Sequence, residues 1–421
     1  MKASIYRSEI DGVVEAPSSK SYTIRALLCA ALANGESRIC NPLYSDDTKA
    51  AIDVLTKVGI QISKDNGSLL VSGGVFNEAQ VDLDCGDSAT TLRFMAAVSS
   101  LIPGRTKLVT GPSLAKRPII TLITTLRKLG IDCHCCGDVA PVIIEHSSST
   151  GGTVEIPGNI SSQFVSALLL IAPFTDKGIT IKLSSPLESK PYVVMTIECL
   201  KKFGIEVGFS KDMAELSVVK QSYKPTNYVV EGDWSSASYL LAMGALSGKV
   251  KVKNLKSETV QGDKIILDFL KGMGAYVYEY NDSVEVSLSE LKAVKADLTD
   301  CIDLLPTMAI LAACAEGTSE LIGVRRGRIK ESNRVAAVVE GLKGVGLEIM
   351  EESNRLLITG GNPKAAVIKS YGDHRIAMAF AILGLKSGGI TITGAECVSK
   401  TFPEFWDVIS NTGGHITVGG K

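Results

Sequence analysis

The sequence predicts an α/β protein of two domains, each built from three copies of a unit of about 70 residues, with helices buried and sheets outside. Three observations predict it. A small-residue, apolar helix pattern recurs six times, over residues 25–33, 90–101, 164–173, 236–246, 304–315 and 376–385. Each copy runs into a turn and strand of one type: ANGESRI, IPGRTKLV, TDKGITI, LSGKVKV, AEGTSELI and KSGGITI. A helix-ending L-x-x-x-G keeps step with them, closing at Gly59, Gly130, Gly204, Gly274 and Gly346, with an I-x-x-x-G copy at Gly413.

The first helix of each unit is apolar on every side and rich in Ala, Ser and Gly, so it must be buried. The second, such as TKAAIDVLTKVG or VVMTIECLKKFG, is amphipathic and carries lysines on one side. Strand patterns such as KVKVKNL and SVEVSLS alternate, which turns one sheet face to solvent. Six units divide three and three, with a boundary expected near residues 224–233. The last unit, counted from Pro363, has only 59 residues and is short by roughly a strand. Residues 1–11 precede the first unit and can supply it. The expected domains are therefore 12–230, and 1–11 with 231–421. Two crossing segments would join them as in a hinge, with the active site in the cleft between.

Composition narrows the class. At 45% hydrophobic residues the chain can build cores, and no apolar run reaches the roughly 18 residues of a membrane span. The opening MKASIYRSEIDGVVEAPSSKS has neither an apolar signal core nor an Arg-rich transit pattern. Ten cysteines without a secreted-scaffold spacing read as reduced thiols, and the expected location is cytoplasmic. Cys133, His134, Cys135 and Cys136 lack a second ligand pair at finger spacing, so no metal is assigned. A net charge of −1 argues against a nucleic-acid partner over the whole surface.

The polar residues that can do chemistry cluster at the starts of the six buried helices, where free N–H groups and the dipole favour anions. APSSKSYTIR supplies Lys20, Ser21 and Arg25, and CGDSATTLR supplies Arg93 behind Asp87 and Ser88, both readable as caps. NISSQF offers Ser161, Ser162 and the Gln163 amide, uncharged donors suited to phosphate. EGDWSSAS is acidic and reads as structural. CIDLLP places Asp303 before an apolar helix, as a cap or as a base among cations. YGDHRIAM adds Asp373, His374 and Arg375. Arg325, Arg326, Arg328, Lys330 and Arg334 fall within ten residues around Glu331, between a strand pattern and a helix pattern. Between helices stand KRP with Arg117, LESKPY with Ser189, and SKTFP with Lys400. This set suits small, multiply anionic substrates handled by acid–base chemistry without a cofactor.

APSSKSYTIRALL, SSQFVSALL, SKPY, EGDWSSASY, RIKESNR, YGDHRIAMA and SKTFPEFW resemble, in order and over nearly the whole chain, the motifs of the 5-enolpyruvylshikimate-3-phosphate synthases. The resemblance implies an inside-out α/β barrel of six βαβαββ-type repeats, three per domain. It implies transfer of the enolpyruvyl group of phosphoenolpyruvate to the 5-hydroxyl of shikimate 3-phosphate, with release of phosphate, in chorismate and aromatic amino-acid biosynthesis. By the same resemblance Ser161, Ser162 and Ser189 hold the shikimate phosphate, Ser21 and Arg25 the ring hydroxyls and carboxylate, and Lys20 touches both substrates. Arg117, Gln163 and Lys400 bind the phosphoenolpyruvate phosphate, and Arg334 and Arg375 its carboxylate. Asp303 takes the proton of the attacking hydroxyl with Lys330 beside it, and Glu331 protonates the methylene carbon. A monomer acting on these two small molecules, away from membranes, is expected.

Two positions depart from the family pattern. Where relatives read G-N-A-G-T-x-x-R, this chain has Ala89 ahead of Thr90 and Arg93, so a methyl projects toward the phosphoenolpyruvate site. Glyphosate, which occupies that site in the family, is longer than the substrate, and tolerance of it is expected. Arg326 stands where many relatives carry an Asn that contacts shikimate 3-phosphate. The nearest competing class is the sister enolpyruvyl transferase acting on UDP-N-acetylglucosamine, which places a reactive Cys in a loop near Arg117; TGPSLAKRPI has none. A phosphate-binding or RNA-end-processing protein of similar repeats would not need Asp303, Glu331 and two carboxylate-gripping arginines together.

Overall fold

A computed structural model of the chain describes residues 1–147 and 149–420. It divides into two compact units, one of Ser18–Val230 and one of Met1–Pro17 with Glu231–Lys421. Each unit carries three four-stranded sheets of one design: a parallel outer pair followed by two antiparallel neighbours. In the first sheet of the Ser18–Val230 unit the order is Asn227–Val229, Gly35–Cys40, Ser68–Gly73, Gln61–Asp65. That unit closes on itself, because its last strand completes its first sheet.

The expected missing strand is found. Lys2–Ile5 pairs antiparallel with both Ile390–Thr393 and Ile416–Gly419, with Ala3 opposite Ile392 and Val418. The expected boundary after residue 11 is corrected. Ile10–Glu15 forms a single strand parallel to Gly248–Lys253, so residues 12–17 belong with the chain's second half. Gly12 fits there because a Cβ would lie 2.8 Å from the Thr412 methyl.

The six inner helices are Lys20–Leu32, Ala89–Val98, Ser162–Ile171, Trp234–Ser247, Leu305–Ala313 and His374–Ser387. Their residues are almost all buried, and in Trp234–Ser247 every one is. On the sheets, Val250 and Val252 are buried while Lys249 and Lys253 face out, as strand alternation requires. The second helices of the units end at Gly59, Gly130, Gly204, Gly274, Gly346 and Gly413, whose φ angles lie between 81° and 95°. A side chain there would strain the left-handed cap, which is why this glycine marks the repeat.

Except at Leu305–Ala313, the inner helices begin one to five residues earlier than their apolar runs. Ser19 and Ser88 accept from the amides of Tyr22 and Thr91, and Asp233 and Asp373 from those of Ser236 and Arg375. Lys20, Ser21, Ser162, Gln163 and Arg375 therefore lie inside first turns rather than ahead of them.

Candidate active site

In the Ser18–Val230 unit, Lys20 opens its helix and is bound by Asp47, with Nζ 2.8 Å from Oδ2. Arg25 lies one turn further on, is 2% exposed, and packs its guanidinium 5.3 Å from the centre of the Phe94 ring. Its Nε donates to Thr196 Oγ1 at 2.8 Å, and its two terminal nitrogens donate to the carbonyls of Ser21 at 2.9 Å and Tyr192 at 3.0 Å. All three partners are neutral, so burial lowers its pKa. The geometry leaves it a positive charge with donors to spare for a carboxylate.

The second and third inner helices start side by side. Arg93 donates to Gln163 Oε1 at 2.7 Å and to Ser161 Oγ at 3.4 Å, and Gln163 Nε2 donates to Thr90 Oγ1 at 2.9 Å. Gln163 is thereby oriented from both ends of its amide. Ala89 is the first residue of its helix and only 6% exposed. Asp87, readable as a cap, instead accepts from the amides of Ser113 and Leu114, each at 3.0 Å, and so ties down the loop that leads to buried Arg117.

Ser161 and Ser162 sit at the N-terminus of Ser162–Ile171. Ser185 Oγ accepts from the amides of Gly158 and Asn159, and Glu188 N donates to Gly158 O, which draws that loop against the one ending at Ser189. Ser189 caps Lys190–Lys202 with a φ of 54°. Three serine hydroxyls and two helix N-termini are thus gathered in one unit, a neutral arrangement that can bind a phosphate.

The other unit contributes an ionic cluster. Asp303 lies in the turn Ile302–Leu304; its Oδ1 is 2.6 Å from Arg334 and 3.2 Å from Lys330, and its Oδ2 is 3.2 Å from Arg375. Burial works to raise its pKa, but Arg375, Lys330 and Arg334 hold it well below the usual carboxylate range. Lys330 is pushed down to about 8, by burial first, against the pull of Asp303. Arg334 is 1% exposed and also donates to Glu331 and, from Nε at 2.8 Å, to Asp373. Burial opposes its charge; Asp373, Glu331 and Asp303 outweigh that and raise its pKa. Arg334, expected to grip a substrate carboxylate, is surrounded by three carboxylates of its own chain.

Asp303, Lys330, Glu331, Arg334 and Arg375 are therefore brought together. Arg326 is buried on the turn Arg325–Ile329, and Lys400 is buried at the end of Ala395–Lys400. Two partners escaped the sequence. Asp47 reads as one more acid in a capped helix start. Asp373 reads as a cap and is one, accepting from Arg375 N at 3.0 Å, but its other oxygen holds Arg334 and the Ser332 hydroxyl. No three His, Cys, Asp or Glu side chains form a metal set among the described residues.

The geometry offers anion-binding donors, a carboxylate locked in its charged form among three cations, and a second carboxylate on the same arginine. Comparison with known proteins gives the same direction. The family model described as EPSP synthase (3-phosphoshikimate 1-carboxyvinyltransferase) matches residues 6–409. A 3-phosphoshikimate 1-carboxyvinyltransferase of Dehalococcoides mccartyi is 48% identical over 99% of both chains. One of Methanocaldococcus jannaschii is 40% identical over 97% of both. A solved EPSP synthase from Acinetobacter baumannii superposes with a TM-score of 0.83 at 26% identity, covering 99% of this chain and all of that one. With the motifs, the fold and near-full-length relatives in agreement, this chain belongs to the EPSP synthase (3-phosphoshikimate 1-carboxyvinyltransferase) family.

Proposed function

We infer that this chain transfers the enolpyruvyl group of phosphoenolpyruvate to the 5-hydroxyl of shikimate 3-phosphate and releases phosphate, a step of aromatic amino-acid biosynthesis. The observation that carries the site reading is Asp303, an acid kept ionised by three cations and joined through Arg334 to a second acid, Glu331.

The chemistry needs both acids. Glu331 gives a proton to the methylene carbon of phosphoenolpyruvate, leaving a cationic carbon at C2. The 5-hydroxyl oxygen bonds to C2 and its proton passes to the Asp303 carboxylate, giving a tetrahedral phosphate ketal. In reverse roles, the Glu331 carboxylate takes a proton from the methyl carbon as the double bond reforms. The bond from C2 to the phosphate oxygen breaks, and the departing phosphate takes the proton held on Asp303. Both acids return to their starting states, and no cofactor enters.

The binding roles are assigned residue by residue. Ser161, Ser162 and Ser189 hold the shikimate phosphate, Ser21 and Arg25 the ring hydroxyls and carboxylate, with Lys20 touching both substrates. Arg117, Gln163 and Lys400 take the phosphoenolpyruvate phosphate and Arg375 its carboxylate. Arg334 assists Arg375 while bridging the two acids. The protein is proposed to work as a cytoplasmic monomer without nucleic-acid or membrane partners; among the described residues no helix is long and apolar enough to cross a membrane.

Phosphate release on mixing the protein with phosphoenolpyruvate and each acceptor in turn tests the reading. Release with shikimate 3-phosphate and none with UDP-N-acetylglucosamine is expected; the opposite pattern overturns it.

A further inference from the structure

Asp263 takes no part in the binding or catalytic roles above, yet it is buried close to them. It lies in the short turn Gly262–Ile265 and is 3% exposed. The Ser235 hydroxyl donates to its Oδ2, while its Oδ1 is buried with no hydrogen-bond partner among the described residues. An ionised carboxylate would leave that oxygen desolvated and unpaired; a protonated one carries no charge to solvate.

Among the charged and titratable groups around Asp263, the acids oppose its ionisation and Arg375 favours it. Asp233 faces it from the start of Trp234–Ser247, Asp303 and Cys301 from the segment around Ile302–Leu304, and Arg375 from the start of His374–Ser387. Arg375 is the one cation among them, and it also serves Asp303. Asp303 has Lys330 and Arg334 besides. Of the two carboxyls, Asp263 is the one that keeps its proton.

We propose that Asp263 is a positioning residue for Asp303: it holds a proton in the resting enzyme, and losing it makes Asp303 a stronger proton acceptor. The proposal rests on the reading of Asp303 as the base. Burial, with Asp303 adding and Arg375 opposing, pushes the Asp263 carboxyl up to about 7. The repulsion is mutual: a negative charge on Asp263 raises the proton affinity of Asp303, which its three cations otherwise hold low. As pH rises through about 7, kcat therefore increases. Above about 8, Lys330 gives up its charge and provides a separate limb.

The test is the pH dependence of kcat at saturating substrates for the wild type, Asp263→Asn and Asp263→Glu, with ¹³C NMR titration of the aspartate carboxyls. The wild type should rise about three- to tenfold across neutral pH, a fraction of the roughly 10²–10⁴-fold that a general base contributes outright. Asp263→Asn should stay near the acid-side level without that rise, while Asp263→Glu keeps it. The resonance lost in Asp263→Asn should titrate near 7 in the wild type and at lower pH in Asp303→Asn. An Asp263→Asn profile that matches the wild type, or is scaled down equally at every pH, overturns the proposal. So does titration of Asp263 in the ordinary carboxylate range. Near-normal kcat in Asp303→Asn would instead sink the reading of Asp303 as the base, whatever Asp263 does.

Discussion

Arg334 holds Asp303 through a 2.6 Å contact while its remaining nitrogens reach Asp373 and Glu331, so one buried guanidinium keeps three carboxylates together. Its first job is to make that concentration of negative charge tolerable in a buried place. Removing it strands three acids, two of which the reaction needs. Arg334→Met should cost about 3–5 kcal/mol of stability, the usual penalty for breaking a buried ion pair from one side. Arg334→Lys should recover only part of this, since an ammonium cannot reproduce the forked contacts. Urea denaturation measures both; a stability loss under about 1 kcal/mol for the Met variant would show that the cluster does not depend on Arg334.

The two acids should be separable from binding. Asp303→Asn and Glu331→Gln each keep shape and lose proton chemistry, so kcat should fall by about 10²–10⁴-fold. Shikimate 3-phosphate affinity should change little, and the double variant should lose less than the product of the single losses. Arg375→Ala should raise KM for phosphoenolpyruvate and also lower kcat, because Arg375 touches Asp303. Steady-state kinetics with calorimetric binding decides it; near-normal kcat in Asp303→Asn removes that residue from the base role.

Arg25 predicts an opposition between stability and function. Its guanidinium is buried against one hydroxyl and two carbonyls, with no carboxylate paired to it among the described residues. A buried cation without an anion weighs against folding until a ligand arrives. Arg25→Met should therefore leave the unliganded protein at least as stable, while weakening shikimate 3-phosphate binding by about 2–5 kcal/mol. Thermal melts with and without the ligand test both halves. A variant that melts lower alone and still binds normally would make Arg25 a structural residue.

What the sequence made readable follows from periodicity. The apolar helices had only one place to go, and Gly59 through Gly413 marked each turn by a backbone shape other residues resist. The short sixth unit called for a strand, and Lys2–Ile5 fills it. Ile10–Glu15 was harder: its neighbour Gly248–Lys253 is more than 230 positions away, and nothing local separates it from the helix start that follows. The acids show the same limit. Asp303, Arg334 and Asp373 are each legible as helix-start residues, but their pairing joins three helix starts from two successive repeats. Asp47 and Asp263 look like surface acids until the fold buries them.

Ala89 offers the sharpest test of specificity. It opens the helix Ala89–Val98, next to Thr90, whose hydroxyl accepts from the Gln163 amide assigned to the phosphoenolpyruvate phosphate. The methyl is therefore set within a residue of a proposed substrate contact, and at 6% exposure little room surrounds it. Glyphosate is longer than phosphoenolpyruvate and should meet that methyl first. Overpacking of this kind costs about 1–3 kcal/mol, or roughly tenfold to a hundredfold in affinity. Ala89→Gly should restore sensitivity to glyphosate and shift KM for phosphoenolpyruvate only modestly. A glycine at the first helical turn also gives up about 1 kcal/mol at most of helix propensity, so the variant should remain folded. Inhibition curves for the two proteins at matched phosphoenolpyruvate, each relative to its own KM, decide the matter. Superimposable curves would mean that the methyl points away from the inhibitor, and that the pocket is shaped by Thr90 and Gln163 instead.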